Sequence, residues 1–316
     1  MYVIKIDGAG VHGNGVSVLE PMLETRIDTS GTLTFRMVPD SQGYDTITPL
    51  KSEAEVLVDT TCLWLGRVLD VVKDFDNIKT ITCEGLIAYF NDSQVEPCDE
   101  DLELVDWIEY LIAQHNAQVE PVKHFALGDV TVTPPGDDDT ERVEAEYRAT
   151  RQCIEDLRTK YKGYFRVRRE NGINYLDYVD EFTESSTQQI SFGQNLLDLT
   201  TSMKGEFIKT VLIPIGEEGL TIEDVNQGKK YLENTSAIAL YGRVVGTVYH
   251  ENISDEQELL ETGLEDIEKI PIGITARAVD LSIIDKDINA FNVGEWTRIL
   301  SPPHGVDVQL QIPSIR

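Results

Sequence analysis

The chain is poor in basic residues, in cysteines and in long apolar runs, and each shortage removes a class of function. Lys and Arg number 27 against 56 Asp and Glu, a net charge of −29. Nucleic-acid binders need clustered cations to displace counterions from phosphates, so specific DNA or RNA binding is excluded. The nearest thing to a basic patch, Arg166, Arg168 and Arg169 in GYFRVRRENG, is split by strand alternation, which places Arg166 and Arg168 on one face and Arg169 on the other. That pattern reads as a hairpin face or a subunit contact. The four cysteines, Cys62, Cys83, Cys98 and Cys153, have neither CxxC nor metal-ligand spacing. They read as reduced, small buried hydrophobes, with Cys62 and Cys83 inside strands where burial raises a thiol pKa. No segment reaches the roughly 18 consecutive apolar residues of a membrane helix. The N-terminus MYVIKIDGAG alternates like a strand and has no basic leader, so neither membrane insertion nor secretion by a standard signal is expected.

Candidate chemistry is equally sparse. His12, His115, His124, His250 and His304 show no HxH or HxxxH spacing, and they read as surface or hydrogen-bonded histidines. His304, in SPPHG, belongs to a turn. The acid-rich segments at 99–103 and 137–141 lack the spaced ligands and distal glutamate of a calcium loop, and read as solvated loop and helix-start acids. GAGVHGNG at 8–15 imitates a dinucleotide fingerprint, but VSVLEPML follows where a helix should begin, so a hairpin turn is the better reading. Trp64, Trp107 and Trp296 read as core or interface packing. No catalytic, cofactor-binding or metal-binding residues are assigned, and no cofactor is expected.

What the sequence does contain is strand-forming pattern. The stretch LWLGRVLDVVKDFDNIKTITCEGLIAYFNDS, 63–93, has two apolar runs about a polar turn at Asp74 to Asn77. It predicts a hairpin with Val68, Val71 and Val72 on one strand and Ile78, Ile81 and Cys83 on the other, the second strand running to Phe90. With segments near 2–7, 33–38 and 54–59 it makes residues 1–95 a β-domain. The acidic QVEPCDEDLE precedes a helix to about Asn116 with Leu102, Val105, Ile108 and Ile112 inward. A second helix is predicted over 140–161, where Val143, Tyr147, Ile154, Leu157 and Tyr161 form a stripe, and then a hairpin tipped by Asn171-Gly172, which suits a type I′ turn. These elements make an α/β unit over 96–188. Strands are predicted again at 189–192, 207–215, 242–249, 272–281, 295–300 and 306–312. They form a second β-domain over 189–316 with a helical insertion at about 217–270, whose helix is announced by Ser254 and Gln257 as a capping box with Leu259, Leu260, Leu264 and Ile267 inward. The fold class is α+β and β-rich.

The segments CEGLIAYFNDS (83–93), LIAQHNAQV (111–119), FALGDVTVT (125–133), GYFRVRRENGINYLDYV (163–179), ISFGQNLLDLT (190–200), LTIEDVNQGKKYLEN (220–234), ALYGRVVGTVYHENI (239–253) and VGEWTRILSPPHGVD (293–307) occur in an order that resembles the prophage tail protein family. That family is the N-terminal hub region of tail-associated lysins (Tal proteins) in siphophages of Gram-positive bacteria. The resemblance implies two tail-tube-like β-barrel domains per chain, a homotrimeric ring continuing the tail tube, and smaller outer α/β domains. It also implies a place in the virion tail tip or baseplate, with the distal tail protein and tail tube as partners and the tape measure protein, a tail fibre or a lysin module as further ones. DNA would pass through the lumen without specific binding. Wall-degrading activity lies in modules beyond the hub in longer members, so this chain is expected to be structural, either a short hub or a piece of a longer lysin. The alternatives are a peptidoglycan hydrolase or endopeptidase and a host-surface carbohydrate-binding module.

Overall fold

The computed structural model describes residues 2–27, 29–59, 61–97, 101–134, 147–250, 252–268, 272–285 and 287–316. Cys98, the acids at 99–100 and 137–141, and the 140–146 part of the expected second helix lie outside the described residues. Packing divides the chain into one unit of 1–189 with 280–316 and another of 190–279.

The first unit is built on an eight-stranded antiparallel sheet that forms an open half-barrel. Its strands are Tyr2–Ile6 (β1), Ala9–His12 (β2), Leu19–Arg26 (β3), Thr32–Met37 (β4), Glu53–Val58 (β5), Thr61–Lys73 (β6) and Lys79–Gly85 (β7), with Ser314–Ile315 pairing to β3 at one edge. The order is β2-β1-β5-β6-β7-β4-β3 and then that C-terminal strand. Alternation decides the face: Leu33, Phe35 and Met37 of β4 and Ile81 and Cys83 of β7 point into one core with Val56, Trp64 and Val68. GAGVHGNG is the β1–β2 turn and strand β2, with Asp7 and Gly8 at positive φ. The expected β6–β7 hairpin is present, Val68 facing Cys83 and Val71 facing Ile81, although Val72 points to solvent.

The second strand stops earlier than expected. Residues Leu86–Asp92 form a 3-10 helix in which Leu86, Ile87, Ala88, Tyr89 and Phe90 are all buried. A run buried on every side has no period, so its apolar character could not separate strand from helix. These side chains enter a second core with helix α1 (Leu104–Gln118), helix α2 (Thr150–Tyr161) and a sheet of Tyr164–Glu170, Ile173–Val179 and Phe125–Val130. On α1 the inward residues are Leu104, Trp107, Ile108, Leu111, Ile112 and His115, whereas Val105 is exposed. The expected stripe was rotated because Trp107 and His115 were left out of it. Asn171 and Gly172 take φ of 51° and 81° at the hairpin tip, as an I′ turn requires. Residues Trp296–Ser301 and Val306–Gln311 form a hairpin closed at Pro302–His304, where Ser301 Oγ and His304 Nδ1 lie 2.6 Å apart.

The second unit centres on Val211–Ile215, which pairs antiparallel with Leu232–Glu233 and parallel with Val245–Tyr249. Helix α3 (Thr235–Tyr241) and helix α4 (Glu256–Glu268) accompany this sheet, and Leu212, Ile222, Leu232, Leu259 and Ile267 form its core. The α4 cap is Asp255, whose Oδ1 accepts from Glu258 N at 2.9 Å, one residue beyond the expected Ser254. Leu264 is exposed, on the side of α4 away from that core. Leu196–Met203 and Ile272–Ala278 form a separate two-stranded antiparallel ribbon.

Candidate assembly surfaces

Three polar clusters of the first unit are the places where chemistry could reside. The first resembles a catalytic dyad: Ser93 Oγ lies 2.7 Å from His115 Nδ1 and 2.7 Å from Thr150 Oγ1, and His115 Nε2 lies 3.0 Å from Lys123 O. Because a carbonyl can only accept, Nε2 carries the proton. Nδ1 therefore accepts from Ser93, whose oxygen accepts from Thr150. His115 is 0% exposed, and burial lowers its pKa and keeps it neutral. A nucleophile must meet its substrate, but Ser93 and Thr150 are buried too, and the second imidazole nitrogen faces a carbonyl where a triad places a carboxylate. The arrangement ties the end of the 3-10 helix to α1 and the start of α2. Ser93→Ala strands the Thr150 hydroxyl and His115 Nδ1, at an expected cost of about 1–3 kcal/mol. Thermal unfolding should register this loss, while turbidity assays on cell walls should give the same rate for variant and parent.

In the second cluster Arg67, 2% exposed, donates from Nε to Glu84 (2.8 Å), from Nη1 to Asp92 (2.5 Å) and from Nη2 to Ala88 O (3.3 Å), and Lys123 Nζ reaches Asp92 at 2.9 Å. Burial alone would raise the Asp92 pKa, but hydrogen bonds from Arg67 and Lys123 outweigh it and hold it below the ordinary value of 3.8. A carboxyl depressed by folding stabilises the native state above its unfolded pKa, and that contribution fades as pH falls through the folded value. Acid titration of stability should therefore show a loss beginning near pH 4 and continuing below it, and Asp92→Asn should flatten that part of the curve.

The third cluster accounts for the basic trio. Asp177 is 0% exposed and accepts from Arg166 Nε (3.0 Å), Arg168 Nε (3.0 Å) and the Asp129 amide (2.9 Å). Arg169, on the opposite face, pairs with Glu53 at 2.9 Å and with Asn174. The three cations thus serve internal carboxylates. Sequence reading missed Asp177, although the turn at Asn171-Gly172 places it directly across from Arg166.

The remaining candidates fall in ordinary roles. Cys83 is buried and its thiol is pushed up to about 12 by burial. Cys62 lies inside strand β6 as expected, but it is exposed where burial was expected. Trp64 and Trp107 are buried, and Trp296 donates to Phe182 O at 2.8 Å. Among the described residues no group of three or more His, Cys, Asp or Glu is placed to hold a metal ion, and no helix is long and apolar enough to cross a membrane. An open depression of about 390 Å³ is lined by Asp7, Glu53, Glu55, Cys62 and Arg169, with Glu53 already held by Arg169 and Glu55 by Lys5.

Surfaces suited to assembly are more distinctive. In the ribbon, register puts Leu199 opposite Ala276 and Thr201 opposite Ile274, with Met203 next along the same face, so that face is mostly apolar. The other face carries Asp198 opposite Arg277, Thr200 opposite Thr275 and Ser202 opposite Gly273. No other described element of its unit packs broadly on it; Leu199, Ile274 and Ala276 are half-buried, and Met203 is exposed. A lone two-stranded ribbon is marginal in water.

Comparison with known proteins finds similarity to prophage tail proteins. The family described as "Prophage endopeptidase tail" matches residues 184–316. No curated protein matches the chain significantly. Among solved structures, the prophage MuSo2 43 kDa tail protein from Shewanella oneidensis is similar at TM-score 0.61 and 13% identity, covering 99% of this chain and 92% of that one. The tail protein from Neisseria meningitidis MC58 is similar at TM-score 0.58 and 10% identity, covering 99% and 90%. Prophage tail protein gp18 from Listeria monocytogenes EGD-e is similar at TM-score 0.53 and 13% identity, covering 99% and 89%. At such identities the likeness is one of fold. The resemblance to the prophage tail protein family is therefore shown, by the family match over residues 184–316 and by a fold similar to known tail proteins along 99% of the chain.

Proposed function

We propose that the chain is a hub component of a siphophage or prophage tail tip, assembling as a homotrimeric ring that continues the tail tube, with tail-tube-like barrels forming the wall. The observation that carries this reading is the amphipathic ribbon, Leu196–Met203 with Ile272–Ala278, whose apolar face and open edges need a neighbour. The half-barrel of the first unit, open at β2 and at its C-terminal strand, supports it in the same way. The distal tail protein and tube would lie above the ring, and the tape measure protein, a fibre or a lysin module would attach at the tip of particles infecting Gram-positive hosts. The charge of −29 suits a conduit that DNA must traverse without sticking, since carboxylates repel phosphates within about 8 Å at physiological salt. The reading is structural, and it leaves wall degradation to modules other than this hub. Native mass spectrometry with negative-stain imaging of the purified chain, alone and with its distal tail protein, should give a trimer with a central hole. A chain that stays monomeric under both conditions contradicts the ring.

A further inference from the structure

The half-barrel of the first unit has an outward face that no described element covers. Alternation turns Phe35 of β4 and Ile81 of β7 into the core, and their neighbours Thr34, Arg36, Thr80 and Thr82 the other way. Register extends this outward face to Asp70 and Val72 of β6 on one side and to Leu19 and Met22 of β3 on the other. Leu19, Met22 and Val72 are exposed, the threonines are half-buried, and no described element outside the sheet packs broadly on β3, β4 or β7. Arg36 lies 3.6 Å from both Glu20 and Asp74, and the second contact joins the face to the β6–β7 turn.

That turn carries Phe75, 99% exposed, on a backbone locked from several sides. Asp74 Oδ1 accepts from the amides of Asp76 (3.0 Å) and Ile78 (2.8 Å), and Asn77 N donates to Asp74 O at 3.1 Å. Tyr44 donates its hydroxyl to Asn77 O, and Lys79 caps Tyr44 O. Burial contributes nothing to stability for a fully exposed ring, so folding gives no reason for Phe75. A rigid aromatic presented without an ordering cost is the kind of side chain that anchors interfaces.

Charge selects the occupant. Asp70 on the face and Asp76 beside the ring are exposed and have no cationic partner among the described residues, whereas Lys73 and Lys79 face each other across the ladder on the opposite side of the sheet. The complement is an apolar surface edged by cations. A second copy is ill suited to supply it, because it holds 27 Lys and Arg against 56 Asp and Glu, and Arg67, Arg166 and Arg168 are spent on internal carboxylates. The same carboxylates repel DNA. We propose that Phe75 and the Leu19–Val72 face seat a different tail protein, whose contact surface is apolar at its centre and edged by Lys and Arg. The contact rests on the chain's place in a tail and goes beyond the ring.

The test uses the full chain in assembled tails. Photoreactive benzoyl-phenylalanine at position 75, and separately at position 72, should crosslink to the same other polypeptide, through segments that carry Lys or Arg beside apolar residues. That polypeptide, purified, should bind the parent chain and lose affinity about 10- to 100-fold with Phe75→Ser or Asp76→Lys. Both positions are exposed, so thermal unfolding of the variants should match the parent. Their self-association in sedimentation velocity should match it too, which separates this contact from the ring. Crosslinks to another copy of this chain, to DNA or to segments without cations overturn the proposal, as do the absence of crosslinks and an unchanged affinity in either variant. Failure of the ring with these crosslinks present leaves the proposal standing.

Discussion

Arg67→Met is expected to destabilise the chain by about 3–5 kcal/mol, the range for breaking a buried ion pair at one partner. The guanidinium lies where β6, β7 and the 3-10 helix meet, and its three nitrogens serve Glu84, Asp92 and the Ala88 carbonyl in one plane. Its carbon also lies 5.1 Å from the centre of the Tyr89 ring. Methionine fills comparable space, but it leaves Glu84 without its partner and Asp92 with Lys123 alone. Lysine does not rescue, because one ammonium cannot reproduce the planar fork. Equilibrium urea unfolding measures the loss, and Arg67→Met combined with Asp92→Asn should recover part of it, since the second change removes a carboxylate the first left exposed to its own desolvation. A loss under 1 kcal/mol would mean that the cluster is not what fastens the half-barrel to the α/β core.

Gly85→Ala should cost about 3 kcal/mol, the upper end for overpacking. The cause is space, because Gly85 has an ordinary negative φ of −73°. A Cβ there would stand 1.8 Å from Ser30 O and 2.7 Å from Ser30 C. Backbone atoms cannot step aside as a side chain can. Ser30 O is also the acceptor for Trp64 Nε1 at 3.1 Å, and the Gly85 amide donates to Gly31 O, so moving the Ser30 strand end disturbs the packing of Trp64. Two other glycines separate the causes. Gly172→Ala has open room but a φ of +81°, and should cost about 1 kcal/mol. Gly10→Ala has neither constraint and should be nearly neutral. Chemical denaturation of the three variants should rank them in that order, and a Gly85→Ala chain as stable as Gly10→Ala would contradict the close approach.

What could be read in advance was local. Alternation and turn chemistry gave the β6–β7 and Asn171-Gly172 hairpins, and counting outward from the second turn would have put Asp177 opposite Arg166. The end of β7 was illegible because LIAYF is buried on all sides, and only the crowding at Gly85 marks the change of course. Residues 280–316 join the first unit through pairings such as Ser314 with Arg26, a contact so distant in sequence that no local pattern announces it. The assembly surfaces were hidden for a related reason. The strand at 196–203 was not expected, and only the fold pairs it with 272–278 and shows that no other described element of the unit packs broadly on it.

The most direct test of the structural reading is electron cryomicroscopy of tails that carry this chain. The account predicts three copies encircling the channel at the tail tip, with neighbouring copies packed on the Leu196–Met203 ribbon. Tails that carry it as an isolated copy away from the axis, with its ribbon bare, would contradict it.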